Sequence, residues 1–272
     1  MKPCAADIGG LRTGGISTLQ PKQNADAALE MSLDEAVHSR SVEILALAAA
    51  NPAISEDLAL VLLKRSDLPV QAIDQLSKNG SLMKTRKVKL AIVKHPRTPR
   101  HISIPKLRYL FNFELMNVAL MPAVPGDVKM AAEESLINRL ETISQGERLA
   151  LAHRASGRVT SELLLDLEPR VIHAALENSR LTESEIIKAL TSRDALAALI
   201  NAVCQHPKWS LRSDIRIALL RSEKTSLPQA LEFARSLPTA LLQKILHNSR
   251  LPETTKQSLV KDAEERANNR EE

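Results

Sequence analysis

The chain has few aromatic residues and few glycines. Its 272 residues include one Trp, one Tyr, three Phe and eight Gly, and four of the glycines fall within the first fifteen positions. So few rings argue against an aromatic-lined cofactor cleft or a base-stacking sheet. So few glycines after position 15 argue against phosphate-cradling loops and most multistranded β folds. The core must therefore be built mainly from Leu, Ala, Ile and Val.

Two further absences bear on the compartment. Cys4 and Cys204 are the only cysteines, which excludes a disulfide scaffold and favours a reducing compartment. The sequence contains no run of about 18 apolar residues that could span a membrane. Its first fifteen residues also lack the apolar stretch of a secretory signal. We therefore expect a cytoplasmic protein without membrane contact, and the sequence leaves its oligomeric state open.

Acidic residues are missing from one long interval. The net charge is +5, yet there is no Asp or Glu between Asp74 and Glu114, and the rest of the chain is net acidic. Such a segment is either a surface for phosphates or an acidic partner, or a solvated face without a role. The candidate contacts are the basic residues from 84 to 108: Lys84, Arg86, Lys87, Lys89, Lys94, Arg97, Arg100, Lys106 and Arg108.

A short turn motif recurs along the chain. Taking Asn51 of NPAIS as the anchor, position +3 is apolar, Thr or Trp, and position +4 is Ser, Thr or Pro. The anchor suits a helix end, Pro at +1 stops the helix, and Ser, Thr or Pro at +4 starts the next one. The copies are NPAIS (51–55), RSDLP (65–69), HPRTP (95–99), MPAVP (121–125), SGRVT (156–160), NSRLT (178–182), HPKWS (206–210), SEKTS (222–226) and NSRLP (248–252).

Between the turns the apolar spacing is helical almost without a break from Ser32 onward. Capping boxes are predicted at Ser32/Glu35, Ser144/Glu147 and Thr182/Glu185. Helices are predicted at roughly 41–50, 56–64, 70–78, 86–94, 100–112, 114–121, 126–142, 146–154, 160–167, 169–177, 182–191, 194–205, 210–220, 226–236, 238–247 and 253–267.

These helices are too short to bury an apolar face alone and must stack on their neighbours. The sequence therefore predicts an all-α, right-handed α-solenoid of short antiparallel helix pairs. We expect a flexible tail over residues 1–25, a single solenoid domain over 26–267 with a flexible break at 79–85, and a second tail over 268–272. Pro105 is expected in the first turn of a helix that starts near Ser103, or at a kink.

The NPxxS, HPRTP and NSRLP turns, joined to Leu- and Ala-rich helices, resemble HEAT and leucine-rich-repeat-variant repeats over roughly 41–265. The HPRTP and GERLALAHRASGRV segments are also similar to segments of bacterial proteins to which no activity is attached. The resemblance implies a binding scaffold. Leucine-rich-repeat-variant proteins pair their repeats with an iron–sulfur cysteine cluster, which Cys4 and Cys204 cannot supply. No cofactor is therefore expected.

The remaining candidate side chains have structural interpretations. Tyr109, Phe111 and Phe113 adjoin the basic segment and could stack on bases, but an apolar local sequence favours a place in the core. Trp209 is predicted to fill its turn, with Lys208 and Arg212 at the edge of the ring. His95 and His206 are predicted to cap helices. Cys204 with His206 supplies too few ligands for zinc, so no metal site is expected.

Catalytic motifs are also lacking. The sequence contains no HExxH, GxSxG or Walker motif, and adjacent acidic residues on a helix diverge by about 100°. We expect a non-enzymatic scaffold that presents an extended surface to a macromolecular partner, in the first place a protein. The first alternative is a nucleic-acid-binding protein that uses residues 84–108 on the phosphate backbone. A remote alternative is a HEAT-like DNA glycosylase.

Overall fold

The turn residues start and end helices throughout the part of the chain that the computed structural model describes, residues 32–268. Within these residues every regular element is helical and no strand is present. The predicted all-α class is thus confirmed. The predicted tail over 1–25, residues 26–31 and residues 269–272 lie outside the described residues. Asn268, the first residue of the predicted second tail, is the last residue of the final helix.

The chain divides into two compact units between Pro99 and Arg100. The single solenoid over 26–267 stays a prediction. The helices of the first unit are α1 (Leu33–Ala36), α2 (Val42–Ala50), α3 (Glu56–Leu63), α4 (Val70–Lys78), a 3₁₀ helix (Leu82–Lys84) and α5 (Arg86–Lys94). Those of the second unit are α6 (Arg100–Leu107), α7 (Asn112–Leu120), α8 (Gly126–Ile137), α9 (Gln145–Arg154), α10 (Gly157–Leu163), α11 (Pro169–Leu176), α12 (Glu183–Thr191), α13 (Ala197–Gln205), α14 (Ser213–Arg221), α15 (Leu227–Arg235), α16 (Thr239–His247) and α17 (Glu253–Asn268).

Within each unit the helices pack in two layers. In the first unit α2 packs on α4 and α3 on α5. In the second unit α6, α8, α10, α12, α14 and α16 pack in series, while α9 packs on α11, α11 on α13 and α15 on α17. Most helices thus pack on a helix two places along the chain, and some also pack on a sequence neighbour, as α7 does on α8. This is the packing of a helical repeat and is compatible with a solenoid.

The predicted turn chemistry is confirmed at most of the nine copies. Asn51, His95, Met121, Ser222 and Asn248 each cap the end of a helix. At position +4, Ser55, Pro125 and Ser226 cap the start of the next helix, and so does Thr182 of the NSRLT copy. The residue at +3 is buried at every copy, for example Ile54, Leu68, Leu181 and Leu251. All three predicted capping boxes are present.

Neighbouring turns are joined by side chains that donate to backbone carbonyls about one repeat earlier. Arg65 Nη1 lies 3.0 Å from the carbonyl oxygen of Val37, and His95 Nε2 lies 2.9 Å from that of Arg65. In the second unit Arg139 Nη1 donates to the Leu110 oxygen at 2.8 Å and Trp209 Nε1 to the Leu176 oxygen at 2.9 Å. These oxygens lie at or just beyond helix ends, where carbonyls have no partner within the helix. The bonds therefore stabilise the stack and the helix ends together.

Two of the nine turns were predicted wrongly. Ser156 is the N-cap of α10, so this helix starts at Gly157 and not after Thr160. Only Ala155 and Ser156 connect α9 to α10. The side-chain amide of Asn178 donates to the Ala152 and Ala155 oxygens and so stabilises this short connection. At the second site His206 ends α13 as predicted, but α14 begins at Ser213 and not near Ser210.

Two segments are predicted to interrupt the helices: the residues around Pro105 and residues 79–85, whose flexibility stays a prediction. Pro105 lies inside α6, which starts at Arg100, so its ring removes the bond that residue 105 would otherwise donate to His101. The segment 79–85, predicted as a flexible break, contains the 3₁₀ helix, and Leu82 is buried there. Asn79 Oδ1 accepts from the backbone nitrogen of Ser81 at 3.1 Å, which shapes the turn before it.

Replacing Gly157 with alanine is expected to destabilise the protein by about 1–3 kcal/mol. A Cβ at Gly157 would lie 2.8 Å from the backbone oxygen of Arg180 and within 2.7 Å of both carboxylate oxygens of Glu185. The matched control is Gly126→Ala, at the same first position of α8, where a Cβ meets nothing within 4 Å. This change should be neutral or stabilising by up to about 1 kcal/mol. Urea unfolding followed by circular dichroism measures both, and equal effects would contradict the expectation.

Candidate binding surfaces

The predicted basic segment is divided between the two units. Six of its residues lie in the first unit, on the 3₁₀ helix, on α5 and in the turn that follows: Lys84, Arg86, Lys87, Lys89, Lys94 and Arg97. The other three lie on α6 or just beyond it in the second unit: Arg100, Lys106 and Arg108.

On α5 two lysines occupy the face opposite the core. Val88, Ile92 and Val93 are buried, and Lys87 and Lys94 lie on the other side, about 20° apart on an α-helix. Within residues 32–266 neither lysine forms an ion pair, and Lys87 is exposed. The α5 face is thus a small basic surface.

Arg97 contributes to the stack of turns. Its guanidinium donates to the backbone oxygen of Asp67 at 3.1 Å. In the same turn Arg65 holds both carboxylate oxygens of Asp67, at 3.0 and 2.8 Å. The Arg65 hydrogen bonds lower the pKa of Asp67, with a smaller contribution from the charge of Arg97. The guanidinium of Arg97 therefore already interacts with Asp67 of the same unit.

In the second unit the three basic residues differ in exposure. Arg100 is exposed at the start of α6, whereas Lys106 is half-buried and donates to the Ile102 oxygen at 3.2 Å. Arg108 is exposed, and its guanidinium carbon lies 4.6 Å from the centre of the Tyr109 ring. Arg108 and Tyr109 therefore form a cation–π pair at the surface.

The prediction that Tyr109, Phe111 and Phe113 fill the core is wrong. Their exposed fractions are 46%, 59% and 39%. The physical reason is that Leu107, Leu110 and Leu115 occupy the buried positions around them. Phe111 is the N-cap of α7, so its side chain leaves the helix at the end that faces solvent. Three of the five aromatic residues of the chain are therefore exposed, and they lie within five consecutive positions of the second unit.

One of these aromatic residues, Phe113, lines an open groove of about 480 Å³. Phe113 lines it from α7, and Gly146, Leu149 and Ala150 line it from α9. The two helices are joined near their starts by Asn112 Nδ2, which donates to Glu147 Oε1 at 3.1 Å. This bond, followed by bonds from Ser144, lowers the pKa of Glu147. We use the name aromatic groove for this groove together with Tyr109 and Phe111, which do not line it but precede Phe113 by four and two positions.

At the rim of the aromatic groove the carboxylates have hydrogen-bond partners, whereas the basic side chains form no ion pair within residues 32–266. Glu114 accepts from the backbone nitrogen of Phe111 at 2.8 Å, and Glu147 belongs to a capping box. His153 and Arg154 line the groove, are exposed and form no ion pair within residues 32–266. The rim therefore carries the positive charge of Arg154, which is unpaired within that range, while Glu114 and Glu147 already accept hydrogen bonds at the starts of helices.

A second cavity, of about 540 Å³, lies among α8, α9, α10 and the turn after α10. Its lining includes Asp166, whose side chain is 8% exposed and lies 2.7 Å from Arg148 Nε. Asp166 also accepts from the backbone nitrogen of Glu168 at 2.9 Å, just before α11. Both carboxylate oxygens thus have structural partners, which accounts for the burial of the Asp166 side chain.

The predicted structural histidines and the tryptophan are confirmed. His95 Nδ1 accepts from the backbone of Arg97 and His206 Nδ1 from that of Lys208, both at 3.2 Å. Trp209 is buried as predicted, but the Lys208 ammonium lies over its ring, 3.9 Å from the centre, and not at the edge. The position of Arg212 at the ring edge stays a prediction. Burial, followed by the charge of Glu232, raises the pKa of Cys204 to about 12. This thiol therefore stays protonated at neutral pH.

No group of three or more His, Cys, Asp or Glu side chains among the described residues is placed to hold a metal ion. No helix of this part of the chain has the length and apolar character to cross a bilayer. Comparisons with protein families, with curated proteins and with solved structures found no match. The likeness to HEAT and leucine-rich-repeat-variant proteins therefore depends on the turn motif and the helix pairing alone.

Proposed function

We propose that this protein is a non-enzymatic, cytoplasmic helical-repeat scaffold that binds a protein partner through the aromatic groove. The observation that carries the proposal is the exposure of Tyr109, Phe111 and Phe113 in a chain with only five aromatic residues. The proposal includes a right-handed superhelix within each unit, as in the repeats that its turns resemble.

Aromatic side chains and arginine dominate the binding energy of protein interfaces. Leaving Phe111 and Phe113 in water forgoes their burial, which is worth roughly 1.5–3 kcal/mol for a large apolar side chain. Arg108, stacked on Tyr109, adds a planar cation to the same surface. These features favour a partner that covers the rings rather than a bare solvated face.

The chemistry of the groove specifies the partner segment. Phe113, Leu149 and Ala150 require apolar side chains, and the cations Arg108 and Arg154 favour carboxylates. A groove between two helices fits an amphipathic helix that presents apolar residues at i, i+3 or i+4, and i+7. We infer that the partner contributes a helix with one apolar and one acidic face.

The test is affinity purification from nuclease-treated lysate of the cells that make the protein. The wild-type chain is compared with the Phe111→Ser/Phe113→Ser double variant and with Met130→Ser. Met130 is a matched control because its exposed fraction, 59%, equals that of Phe111 and it lies in the same unit. We expect a protein retained by the wild type and by Met130→Ser but depleted at least about tenfold by the double variant, which corresponds to 1.4 kcal/mol.

Equal recovery by all three chains would overturn the proposal. The same holds for a captured protein without an acidic amphipathic helix, because the rim would then not explain its binding. The exposed positions of the two rings mean that the double variant should fold normally, which circular dichroism verifies before the comparison.

Nucleic-acid binding is the second candidate, and the exposed face of α5 favours it. Lys87 and Lys94 lie on one side of that helix without ion pairs among the described residues. If phosphates bind there, affinity for duplex DNA or RNA falls steeply with salt, by a slope of about 0.7–0.9 per phosphate neutralised. Replacing Lys87 and Lys94 with Gln should then reduce that slope by about 1.4–1.8, because two phosphate contacts are lost. Partner capture that disappears on nuclease treatment would favour this candidate over a protein partner.

A further inference from the structure

Three turns at one end of the second unit form a small pocket away from the aromatic groove. They follow α12, α14 and α16 and comprise residues 192–195, 222–225 and 248–251. Lys224 Nζ donates to the Ala195 oxygen at 2.5 Å, and the backbone nitrogen of Arg250 donates to the Arg221 oxygen at 3.0 Å. The turns thus lie against one another and enclose about 190 Å³.

Four cations line this pocket: Arg193, Arg221, Lys224 and Arg250. Glu223 is the only carboxylate in the lining. Within residues 32–266 none of the four forms an ion pair, although Arg148, Arg158 and Arg235 of the same unit do. Like charges held together by three stacked turns repel one another, and an anion in the pocket would relieve that repulsion.

Uncharged donors accompany the cations. Ser192 and Ser222 accept at Oγ from the backbone nitrogens of Asp194 and Lys224, at 3.2 and 3.4 Å, so their hydroxyl protons are left to donate. The side chain of Asn248 also lines the pocket and makes no hydrogen bond within residues 32–266. The lining is therefore rich in donors, as an oxyanion requires.

The size of the pocket limits what it can hold. Pockets for drug-sized ligands enclose roughly 300–1,000 Å³, so a volume of about 190 Å³ suits a small anionic group. Arginine presents a planar fork that matches phosphate oxygens bidentately, and a dianion is favoured over a single carboxylate where several cations converge. We propose that this pocket binds a phosphoryl group, either as inorganic phosphate or as a phosphorylated side chain.

The proposal is independent of the aromatic groove, so either can fail without the other. The test is an NMR titration of the full chain with inorganic phosphate, at constant ionic strength maintained with chloride. We expect saturable shifts of the backbone amides of residues 192–195, 222–224 and 248–250, with a millimolar or tighter dissociation constant. A second titration with a peptide containing phosphoserine identifies the source. Tighter binding of the peptide assigns the site to a phosphorylated side chain, and equal binding assigns it to free phosphate.

Variants separate this site from general surface charge. Arg193→Gln/Arg250→Gln should weaken phosphate binding at least about tenfold, since two charge-assisted bidentate contacts are removed. Glu223→Gln should tighten binding severalfold, because the only carboxylate of the lining is neutralised. Arg212→Gln is the matched control, an exposed arginine of the same unit outside the pocket. Absence of saturable shifts, or equal affinities for wild type and the double variant, would overturn the proposal.

Discussion

Replacing Trp209 with alanine is expected to lower the free energy of unfolding by about 3–5 kcal/mol. The side chain is 3% exposed and belongs to the hydrophobic core of the second unit, in the turn between α13 and α14. Its Nε1 donates to the Leu176 oxygen at 2.9 Å, at the end of α11. The alanine variant therefore leaves a cavity and an unpaired carbonyl at the same place.

Two further substitutions divide this effect into its parts. Trp209→Phe keeps most of the apolar volume but loses the donor, so it should cost about 1–3 kcal/mol. Phe111→Ala removes a ring that is 59% exposed and should change stability by no more than about 0.5 kcal/mol. The free energy of unfolding of all three variants is measured by urea unfolding followed by circular dichroism and by calorimetry, neither of which relies on tryptophan fluorescence. A Trp209→Ala cost no larger than that of Phe111→Ala would show that the indole does not hold these turns together.

Replacing Asn178 with alanine is expected to cost about 2–4 kcal/mol, more than a single hydrogen bond. Asn178 is 2% exposed. Its Nδ2 donates to the Ala152 oxygen at 2.7 Å, the Ala155 oxygen at 3.2 Å and Thr160 Oγ1 at 2.9 Å. Its Oδ1 accepts from the backbone nitrogen of Arg180 at 2.9 Å. Alanine would leave buried polar groups of α9, its C-cap and α10 without this partner.

Asn248 provides the matched control because it begins the same NSRL tetrapeptide. Asn248 caps the end of α16. Unlike Asn178, it is exposed, and its side chain makes no hydrogen bond within residues 32–266. Asn248→Ala should therefore change the free energy of unfolding by no more than about 0.5 kcal/mol. If the two substitutions have equal effects, local turn chemistry and not the cross-repeat network accounts for the role of Asn178.

The turn motif was the part of the fold that the sequence predicted best. A helix end such as Asn51 and a helix start such as Ser55 depend on residues within one turn of the chain. The apolar position between them, Ile54 in this copy, is buried for the same local reason: it closes the gap between two helices. Failures occurred where a distant contact set the boundary, as at Gly157, which lies against Arg180.

The candidate sites were predicted less well than the turns. The basic residues are visible in the sequence, yet Arg97 is engaged with Asp67, which lies thirty residues earlier. The aromatic residues near 110 were assigned to the core because their neighbours are apolar, and Leu107, Leu110 and Leu115 took those places. The pocket of Arg193, Lys224 and Arg250 gave no local signal, since its cations come from three separate turns.

The sequence has few aromatic residues and few glycines, which argued against cofactor clefts and β folds. The same composition fits helices of Leu and Ala that are joined by turns of Asn, Ser, Thr and Pro. The two NSRL segments show which features the local sequence determines and which it does not. Four consecutive residues were enough to make both of them turns with a buried leucine, Leu181 and Leu251. Only the stacking of helices decided that Asn178 meets Ala152 and Thr160, some 18 to 26 residues away, while Asn248 faces solvent. Turn formation depends on local backbone chemistry, whereas the burial of the turn's asparagine side chain depends on which repeat lies next to that turn.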